Sequence, residues 1–326
     1  MNSSVIRYGI LSTASVVPRF VNAMRQTGTG EVLSIASRSI DKAKAAAEEV
    51  GIPNSYDDIG AILSDPHIDA VYIPLINRLH YPYMKQALLA GKHVLCEKPF
   101  VLHAEEAEEL AALAEERKLF LTETVKTPFL PVFQRIKEII DSGRYGRIRY
   151  MDFRQSYTGG SYIGGWNVRK EDGGGVLFGN QAYFFTMAEF LAGDIVSCSG
   201  TLSFSDGDAD DQAAVTALTE TDAVAVLHVS RRVLFDNGLI IYLDGGRIVI
   251  PDYWKADKAY IYAEDKQEET LSYPCRYEFV YELSHYNDCI QKGLSFSPVT
   301  PVSAAARHVA FTEAILRAND KQPAAE

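Results

Sequence analysis

The sequence has few of the features that mark secreted, metal-binding or membrane proteins. Its four cysteines are widely spaced and form no CxxC pair, which favours buried, reduced thiols over a disulfide framework or a zinc knuckle. No apolar run approaches the length of a membrane span, and residues 1–7 lack the charged and apolar regions of a signal peptide. We therefore expect a cytoplasmic protein with no membrane partner and no metal site.

Clusters of basic residues are also absent. Acidic residues number 43 against 32 basic ones, giving a net charge of −11, and no basic run occurs. We expect no nucleic-acid partner, because binding to a phosphate backbone depends on clustered Lys and Arg. The 326 residues suit two domains of ordinary size, and an apolar content of 47% is typical of globular proteins with substantial cores.

The first 123 residues alternate short apolar runs with helical patterns. The predicted strands are residues 5–11, 31–36, 68–73, 94–96 and 120–123. The predicted helices are residues 16–26, 41–50, 56–63, 80–90 and 103–117. This alternation predicts an α/β fold with a doubly wound parallel sheet.

Residues 124–326 have a different pattern, in which strands follow one another. The predicted strands are residues 147–156, 195–204, 212–218, 223–231, 239–243, 247–250, 259–263 and 268–273. The predicted helices are residues 129–142, 176–191, 277–292 and 303–319. Short connections, including a tight hairpin at Asp244-Gly245-Gly246, imply a mostly antiparallel sheet. One face of that sheet would need a cover, which self-association could supply.

The segment Glu97-Lys98-Pro99 follows a buried strand. Because proline cannot donate to a sheet ladder, the strand should end there and leave Glu97 and Lys98 at the C-terminal edge of the sheet. Open α/β folds bind their ligands at this edge. The alternative for such a short segment is a solvated turn.

Two further segments indicate a dinucleotide. In the turn after the first strand, only Gly9 and Ala14 fit the G-x-G-x-x-G/A pattern, while Ser12 and Thr13 offer donors at a helix N-terminus. After the second strand, Ser37-Arg38 stands where NAD-binding folds place an acidic residue. A serine followed by arginine suits a 2′-phosphate, which favours NADP over NAD.

Residues at two other places could line the same site. Pro74, Leu75, Asn77 and His80 follow the third strand and could wall a nicotinamide pocket, although packing at a helix N-terminus is the alternative for His80. In the second half, Gly173-Gly174-Gly175 precedes a helix that carries Tyr183 about two turns further on.

Several segments resemble the Gfo/Idh/MocA oxidoreductases. Residues 87–100 are similar to the family's AGKHVxxEKP segment, and residues 7–14 to the GILSTA loop of its dihydrodiol and xylose dehydrogenase branch. Residues 36–38 and 142–148 match further family patterns. The resemblance implies a Rossmann domain over residues 1–123, a substrate-binding α/β domain over residues 124–326, and a homodimer or homotetramer formed through the open sheet.

The resemblance also implies roles for site residues. Lys98 and Tyr183 would line the substrate pocket, with Tyr183 exchanging a proton with the substrate oxygen and Lys98 lowering the pKa of the tyrosine. Glu97 and Lys98 would also border the cofactor. Further candidates for substrate contact are Lys126, Trp166, Arg169 and Asn180.

The sequence departs from the family at several of these positions. Gly179 stands where an Asp is usual, which puts ordinary polyol oxidation in question, and Gln181 replaces a glycine. In the segment of residues 123–131, which matches ExxxxRFxP, Pro128 stands where Arg is usual. Lys126 would either replace that cation or be a solvated loop residue.

These features predict an NADP-dependent oxidoreductase that acts on a hydroxyl or carbonyl carbon of a sugar-like or cyclic-diol substrate. The missing carboxylate keeps a second hypothesis open, a nucleotide-binding sensor or regulator without turnover. A third is an enzyme that recycles a tightly held cofactor within one reaction.

Overall fold

The computed structural model describes residues 5–158, 165–204 and 208–319. Its internal contacts divide the chain into two compact units. The first comprises the residues up to Lys126 together with Arg276–Ala306, and the second comprises Thr127–Cys275 together with the residues from Arg307 onward. This division differs from the predicted boundary in that residues 276–306 return to the first unit.

The first unit contains a six-stranded parallel sheet in the order β3-β2-β1-β4-β5-β6. Its strands are β1 (Ile6–Ile10), β2 (Gly30–Ala36), β3 (Asn54–Tyr56), β4 (Ala70–Ile73), β5 (His93–Glu97) and β6 (Leu121–Thr124). Its helices are α1 (Val17–Thr27), α2 (Ile40–Val50), α3 (Ile59–Ser64), α4 (His80–Leu89), α5 (Ala104–Arg117) and α8 (Phe279–Gln291). The predicted doubly wound sheet is confirmed.

Helix α8 belongs to this unit because it buries one face beside α1. The Tyr8 hydroxyl on β1 donates to Asn287 Oδ1 on α8 at 2.6 Å, and both residues are fully buried. Leaving such a buried donor without a partner would be costly. A sequence pattern shows that α8 is amphipathic but does not show which sheet it covers.

One predicted element was wrong. Residues 56–63 were expected to form a single helix, but residues 54–56 form the edge strand β3 and the helix begins only at Ile59. Asp58 ends the extended segment, because its Oδ1 accepts the Gly60 N–H at 2.9 Å and caps the helix.

The second unit contains an eight-stranded sheet in the order β14-β13-β12-β11-β7-β10-β9-β8. Among its described strands, β7 and β10 are paired in parallel and the other neighbours are antiparallel. Its strands are β7 (Ile148–Ser156), β8 (Ile195–Ser203), β9 (Gln212–Thr219), β10 (Val224–Ser230), β11 (Gly238–Leu243), β12 (Gly246–Pro251), β13 (Lys258–Ala263) and β14 (Lys266–Ser272). Helices α6 (Pro131–Asp141) and α7 (Val176–Ala192) lie in this unit, and α9 (Val302–Asn319) continues into it. The mostly antiparallel sheet and the β11–β12 hairpin are confirmed.

The inner face of this sheet packs on α7. Phe153 of β7 and Phe184 of α7 meet edge to face, with ring centroids 5.2 Å apart, and both are fully buried. Tyr150 lies on the opposite face, because successive strand residues point to opposite sides. None of the described helices is both long and apolar enough to cross a membrane.

Candidate active site

Lys98 follows the end of β5, and residues on both sides of it are held by hydrogen bonds. The Thr124 hydroxyl donates to the Cys96 carbonyl at 3.1 Å, before the lysine. His80 Nδ1 lies 2.7 Å from the Pro99 carbonyl oxygen, after it. The Lys98–Pro99 bond is cis and Lys98 is half-buried. The segment is therefore an ordered strand end, not the solvated turn of the alternative interpretation.

His80 connects two loops at this edge of the sheet. It is fully buried, and its Nε2 lies 3.0 Å from the Leu75 carbonyl oxygen while Nδ1 faces Pro99. Burial lowers the pKa of the imidazole, and the two carbonyl contacts oppose that effect. The contacts agree with the packing alternative for His80, and its predicted contact with a cofactor stays a prediction.

Glu97 points to the face of the sheet that carries α1. Its Oε1 accepts a hydrogen bond of 2.6 Å from the Tyr72 hydroxyl, and the Tyr72 ring stacks on Phe20 of α1 at 3.8 Å. Burial, followed by the charge of Glu97, raises the pKa of Tyr72. Glu97 is thus fixed by a buried tyrosine, whereas Lys98 follows it at the end of the strand.

Glu123 was not predicted as a site residue, although it contacts the same segment. It lies on β6, is 4% exposed, and its Oε1 accepts the Phe100 N–H at 2.8 Å. Burial raises its pKa to about 7, and the charge of Lys98 opposes that shift. The sequence motif that contains Glu123 gave no sign of this contact, which depends on the pairing of β5 with β6.

The loop after β1 leads into α1. Ser12, Thr13 and Ala14 are half-buried, and Ser12 Oγ accepts the Ala14 N–H at 3.1 Å. Helix α1 begins at Val17 with no side-chain cap from the described residues. The N-terminal amides of α1 are therefore suited to a pyrophosphate.

Gly9 lies within β1 and not in the loop itself. A Cβ built there would lie 2.3 Å from Ile62 Cγ2 on α3. The glycine at this position lets α3 pack closely on the sheet, which is the role of the last glycine in the usual fingerprint.

Ser37 and Arg38 lie just after β2, at the same C-terminal edge. The Ser37 N–H donates to the Tyr56 carbonyl at 3.1 Å, which fixes the backbone. Arg38 is exposed and forms no ion pair within the described part of the chain. A guanidinium offers five donors in a planar array that binds phosphate groups, and the predicted contact of Arg38 with a 2′-phosphate stays a prediction.

The segment after β4 lies beside the Lys98 segment, because β4 and β5 pair in parallel with Ile73 opposite Cys96. Pro74 is buried and Leu75 is half-buried. Asn77 is 5% exposed and begins a short 3-10 helix that precedes α4. Their predicted cofactor contacts stay predictions.

In the second unit, Asp210 caps the helix that carries Tyr183. Its Oδ2 accepts the Leu177 N–H at 2.8 Å, and its main-chain oxygen accepts the Val176 N–H at 3.0 Å. Gly175 has φ 109°, and a Cβ there would lie 2.0 Å from Asp210 Oδ1. Burial raises the pKa of Asp210 to about 6. Sequence reasoning did not identify Asp210, which is 33 residues beyond the amide that it caps.

Gly179 and Tyr183 lie on one face of α7, because residues four apart are one turn apart. Tyr183 is half-buried. A Cβ at Gly179 would have Tyr157 Oη as its nearest neighbour, 3.9 Å away. Asn180 is 2% exposed, and its Nδ2 donates to the Val176 carbonyl at 2.7 Å. The open space beside Gly179, where the family resemblance implies a carboxylate, is therefore next to the Tyr157 hydroxyl.

Trp166 lies in a short 3-10 helix (Gly165–Val168), and Arg169 links it to a second one (Lys170–Asp172) that precedes the three glycines. Trp166 is half-buried, whereas Arg169 is exposed and donates from Nε to Asp172 Oδ2 at 2.5 Å. The Arg169 carbonyl also accepts the Gly174 N–H at 3.0 Å. In this structure Arg169 supports the glycine turn, and its predicted substrate contact stays a prediction.

Lys126 is not a solvated loop residue, so that alternative was wrong. It is 4% exposed, its Nζ lies 3.3 Å from Glu278 Oε1, and it stands 5.0 Å from the Phe279 ring centroid. Burial, followed by the charge of Arg19, lowers its pKa. The lysine is buried because the start of α8 folds over it, which the sequence around Lys126 does not show.

Two family models match most of the chain. The oxidoreductase family with an NAD-binding Rossmann fold (GFO_IDH_MocA) matches residues 6–124. The Gfo/Idh/MocA C-terminal domain matches residues 133–249. The chain belongs to the Gfo/Idh/MocA family of oxidoreductases, as the sequence motifs predicted.

Relatives include both enzymes of the predicted branch. The trans-1,2-dihydrobenzene-1,2-diol dehydrogenase of Xenopus tropicalis is 27% identical over 306 residues, which cover 90% of this chain and 92% of the relative. The NADP-dependent D-xylose 1-dehydrogenase 2 of Haloferax volcanii is 38% identical over 135 residues, 41% of this chain and 42% of the relative.

Solved structures have the same fold. A 3-ketoreductase from Actinomadura kijaniata in complex with NADP and TDP-benzene has a TM-score of 0.86 at 25% identity, covering 96% of this chain and 98% of that one. Levoglucosan dehydrogenase in complex with NADH and levoglucosan has a TM-score of 0.85 at 20% identity, covering 96% and 97%. The fold thus occurs with either nicotinamide cofactor.

Proposed function

We propose that this chain is an NADP-dependent oxidoreductase that transfers hydride between the nicotinamide and a hydroxyl or carbonyl carbon of a sugar-like or cyclic-diol substrate. The observation that carries the proposal is the Lys98 segment, which is anchored on both sides at the ligand-binding edge of a parallel sheet. The relatives include enzymes named for a diol and for a pentose substrate, which supports this substrate class.

In this proposal the chain's own residues handle the proton. The nicotinamide, when bound, supplies or accepts the hydride. Tyr183 exchanges a proton with the substrate oxygen, and the Lys98 ammonium favours the tyrosinate and stabilises a developing alkoxide.

The preference for NADP is tested by replacing Arg38, whose guanidinium follows β2. Arg38→Ala should weaken NADPH binding by tenfold or more, because a charge-assisted hydrogen bond contributes about 1.5–3 kcal/mol. The affinity for NADH should change little. Fluorescence titration measures both, with Arg317→Ala on α9 as the exposed-arginine control. An equal loss for both cofactors would contradict the assignment of Arg38 to the 2′-phosphate.

The acid–base roles are tested by turnover on a panel of aldoses, their oxidised lactones and cyclic diols, followed by NADPH absorbance. Lys98→Ala and Tyr183→Phe should each lower kcat by about 10²–10⁴-fold, the usual contribution of general acid–base catalysis. Full activity of Tyr183→Phe on an identified substrate would refute the assignment.

A second candidate function is a nucleotide-binding sensor without turnover. Gly179 favours it, because the carboxylate that is usual at this position in the family is absent. It predicts NADP binding with no redox change across the whole panel and a protein partner in a pull-down. A cofactor that survives purification and is reduced and reoxidised by one substrate would instead indicate recycling within one reaction.

We further propose that the outer face of the eight-stranded sheet joins copies of this chain. Tyr150 and Tyr242 are 37% and 38% exposed on neighbouring strands, with ring centroids 6.2 Å apart. Light scattering after chromatography should show a dimer or tetramer that Tyr150→Glu weakens. A wild-type monomer at micromolar concentration would contradict this proposal.

A further inference from the structure

Glu123 is buried beside the Lys98 segment but has no role in the proposed mechanism. In the sheet it is opposite Cys96, and side chains two residues apart on a strand point to the same side. Lys98 is two residues beyond Cys96, so it leaves the strand end on the side that carries Glu123.

Two successive residues of β6 hold the backbone around Lys98. Thr124 binds the Cys96 carbonyl, two residues before the lysine. Glu123 accepts the Phe100 N–H, two residues after it, at 2.8 Å. Phe100 is fully buried, so the segment that Glu123 holds is well packed. A change in the charge of the Glu123 carboxyl should therefore be transmitted to the backbone around Lys98. A neutral acceptor such as glutamine would also bind the Phe100 N–H. Hydrogen bonding alone therefore does not explain why residue 123 is a glutamate.

We propose that Glu123 is a positioning residue for Lys98, which it orients through the Phe100 amide and whose ammonium it stabilises through its own charge. It acts through the lysine and is not assigned a contact with substrate. The part that concerns catalysis rests on the proposed function, whereas the effect on the lysine does not.

The surroundings of Glu123, burial first among them, favour a carboxyl that ionises near neutral pH. Burial raises its pKa to about 7, the charge of Glu97 acts in the same direction, and Lys98 opposes them. The Cys96 thiol faces it and has a raised pKa of its own, and the Tyr286 hydroxyl donates to the Glu123 carbonyl at 3.2 Å. As the pH rises through about 7, Glu123 becomes charged, which places a carboxylate near the Lys98 ammonium.

The test measures the reactivity of Lys98 toward trace acetic anhydride from pH 6 to 10, with peptides read by mass spectrometry. In the native chain, Lys98 reactivity should increase less than tenfold per pH unit across pH 7, because the ionising carboxyl opposes deprotonation of the amine. Glu123→Gln keeps an acceptor for Phe100 and removes the charge. It should make Lys98 several-fold more reactive at pH 8, because the amine loses a neighbouring negative charge.

Controls separate the charge from the fold. Glu116→Gln changes an exposed carboxylate on α5, whose side chain is 74% exposed, and should leave the Lys98 profile unchanged. Lys92 is 6% exposed, so its labelling reports any unfolding of Glu123→Gln. If Glu123→Gln unfolds, the pH dependence of Lys98 reactivity in the native chain still tests the proposal. A native slope of tenfold per unit, or a Lys98 profile that Glu123→Gln leaves unchanged, would overturn the proposal.

Labelling needs neither substrate nor cofactor, so it tests Glu123 even if the chain proves to have no turnover. If a substrate is found, Glu123→Gln should lower kcat about tenfold and shift its pH profile, while the KM for NADP stays unchanged. A loss confined to stability, with the pH profile intact, would show a merely structural role.

Discussion

Gly9 offers a strong test of how the first unit is built. It lies in a central strand of the sheet, and the Ile62 side chain behind it is fully buried. In Gly9→Ala the new methyl would lie 2.3 Å from Ile62 Cγ2, whereas carbon atoms normally approach to about 3.5–4.0 Å. We expect this variant to be destabilised by overpacking and not primarily by loss of cofactor contact.

The magnitude follows from two opposing terms. Overpacking a close-packed core costs about 1–3 kcal/mol. Replacing glycine by alanine within a strand returns about 0.5–1 kcal/mol, because alanine loses less backbone freedom on folding. The net loss should lie between about 0 and 2.5 kcal/mol, with a midpoint near 1 kcal/mol. Ile62→Leu removes Cγ2 at nearly constant volume and should by itself cost less than about 1.5 kcal/mol.

Native-state hydrogen exchange of the β1 amides measures the change in stability around Gly9 directly. This method is chosen because a chain of two units need not unfold in a single two-state transition. The double variant should be more stable than the sum of the single variants predicts, by about 0.5 kcal/mol or more. Gly179→Ala is the control, because its methyl would have no neighbour closer than 3.9 Å. Additive effects of Gly9→Ala and Ile62→Leu would refute the packing argument.

Three further predictions concern buried or altered polar positions. Gly179→Asp should fold normally and increase the rate of NADPH formation from a polyol at least tenfold. The reason is that the variant restores a carboxylate, and a single general base contributes about 10²–10⁴-fold to the rate. An unchanged rate would show that Gly179 does not limit turnover. Asp210 has a pKa raised from 3.8 to about 6, so the folded state binds more protons and the stability of the native chain should fall as the pH rises from about 4 to 6. Asp210→Asn keeps an acceptor for the Leu177 N–H but cannot ionise. It should remove up to about 3 kcal/mol of this pH dependence of stability, because one pKa unit corresponds to about 1.4 kcal/mol. Urea melts at several pH values measure the effect, and an unaltered pH dependence would contradict the raised pKa of Asp210. Lys126→Met should lower the free energy of unfolding by about 1–3 kcal/mol, because Glu278 loses a buried hydrogen-bonded cation. The KM for substrate should stay unchanged, and a raised KM would show that Lys126 binds substrate.

Local pattern was sufficient for most elements of the fold. The alternation of apolar runs and helical spacings predicted five of the six strands of the parallel sheet. The missed strand, β3, is only three residues long and lies at the sheet edge, where it pairs with β2 alone. So short a segment carries too little periodicity to be separated from the helix that follows it.

The sequence by itself determined the fold class, the family and the position of Lys98 at a strand end, because each of these depends on residues that are neighbours along the chain. Only the tertiary structure decided which groups surround that lysine. Glu123 meets the Phe100 amide because β5 and β6 are paired, and Lys126 is buried because α8 returns to the first unit after the whole second sheet. Burial and charge depend on contacts between distant segments, so the pKa of Glu123 follows from the fold and not from its neighbours in sequence.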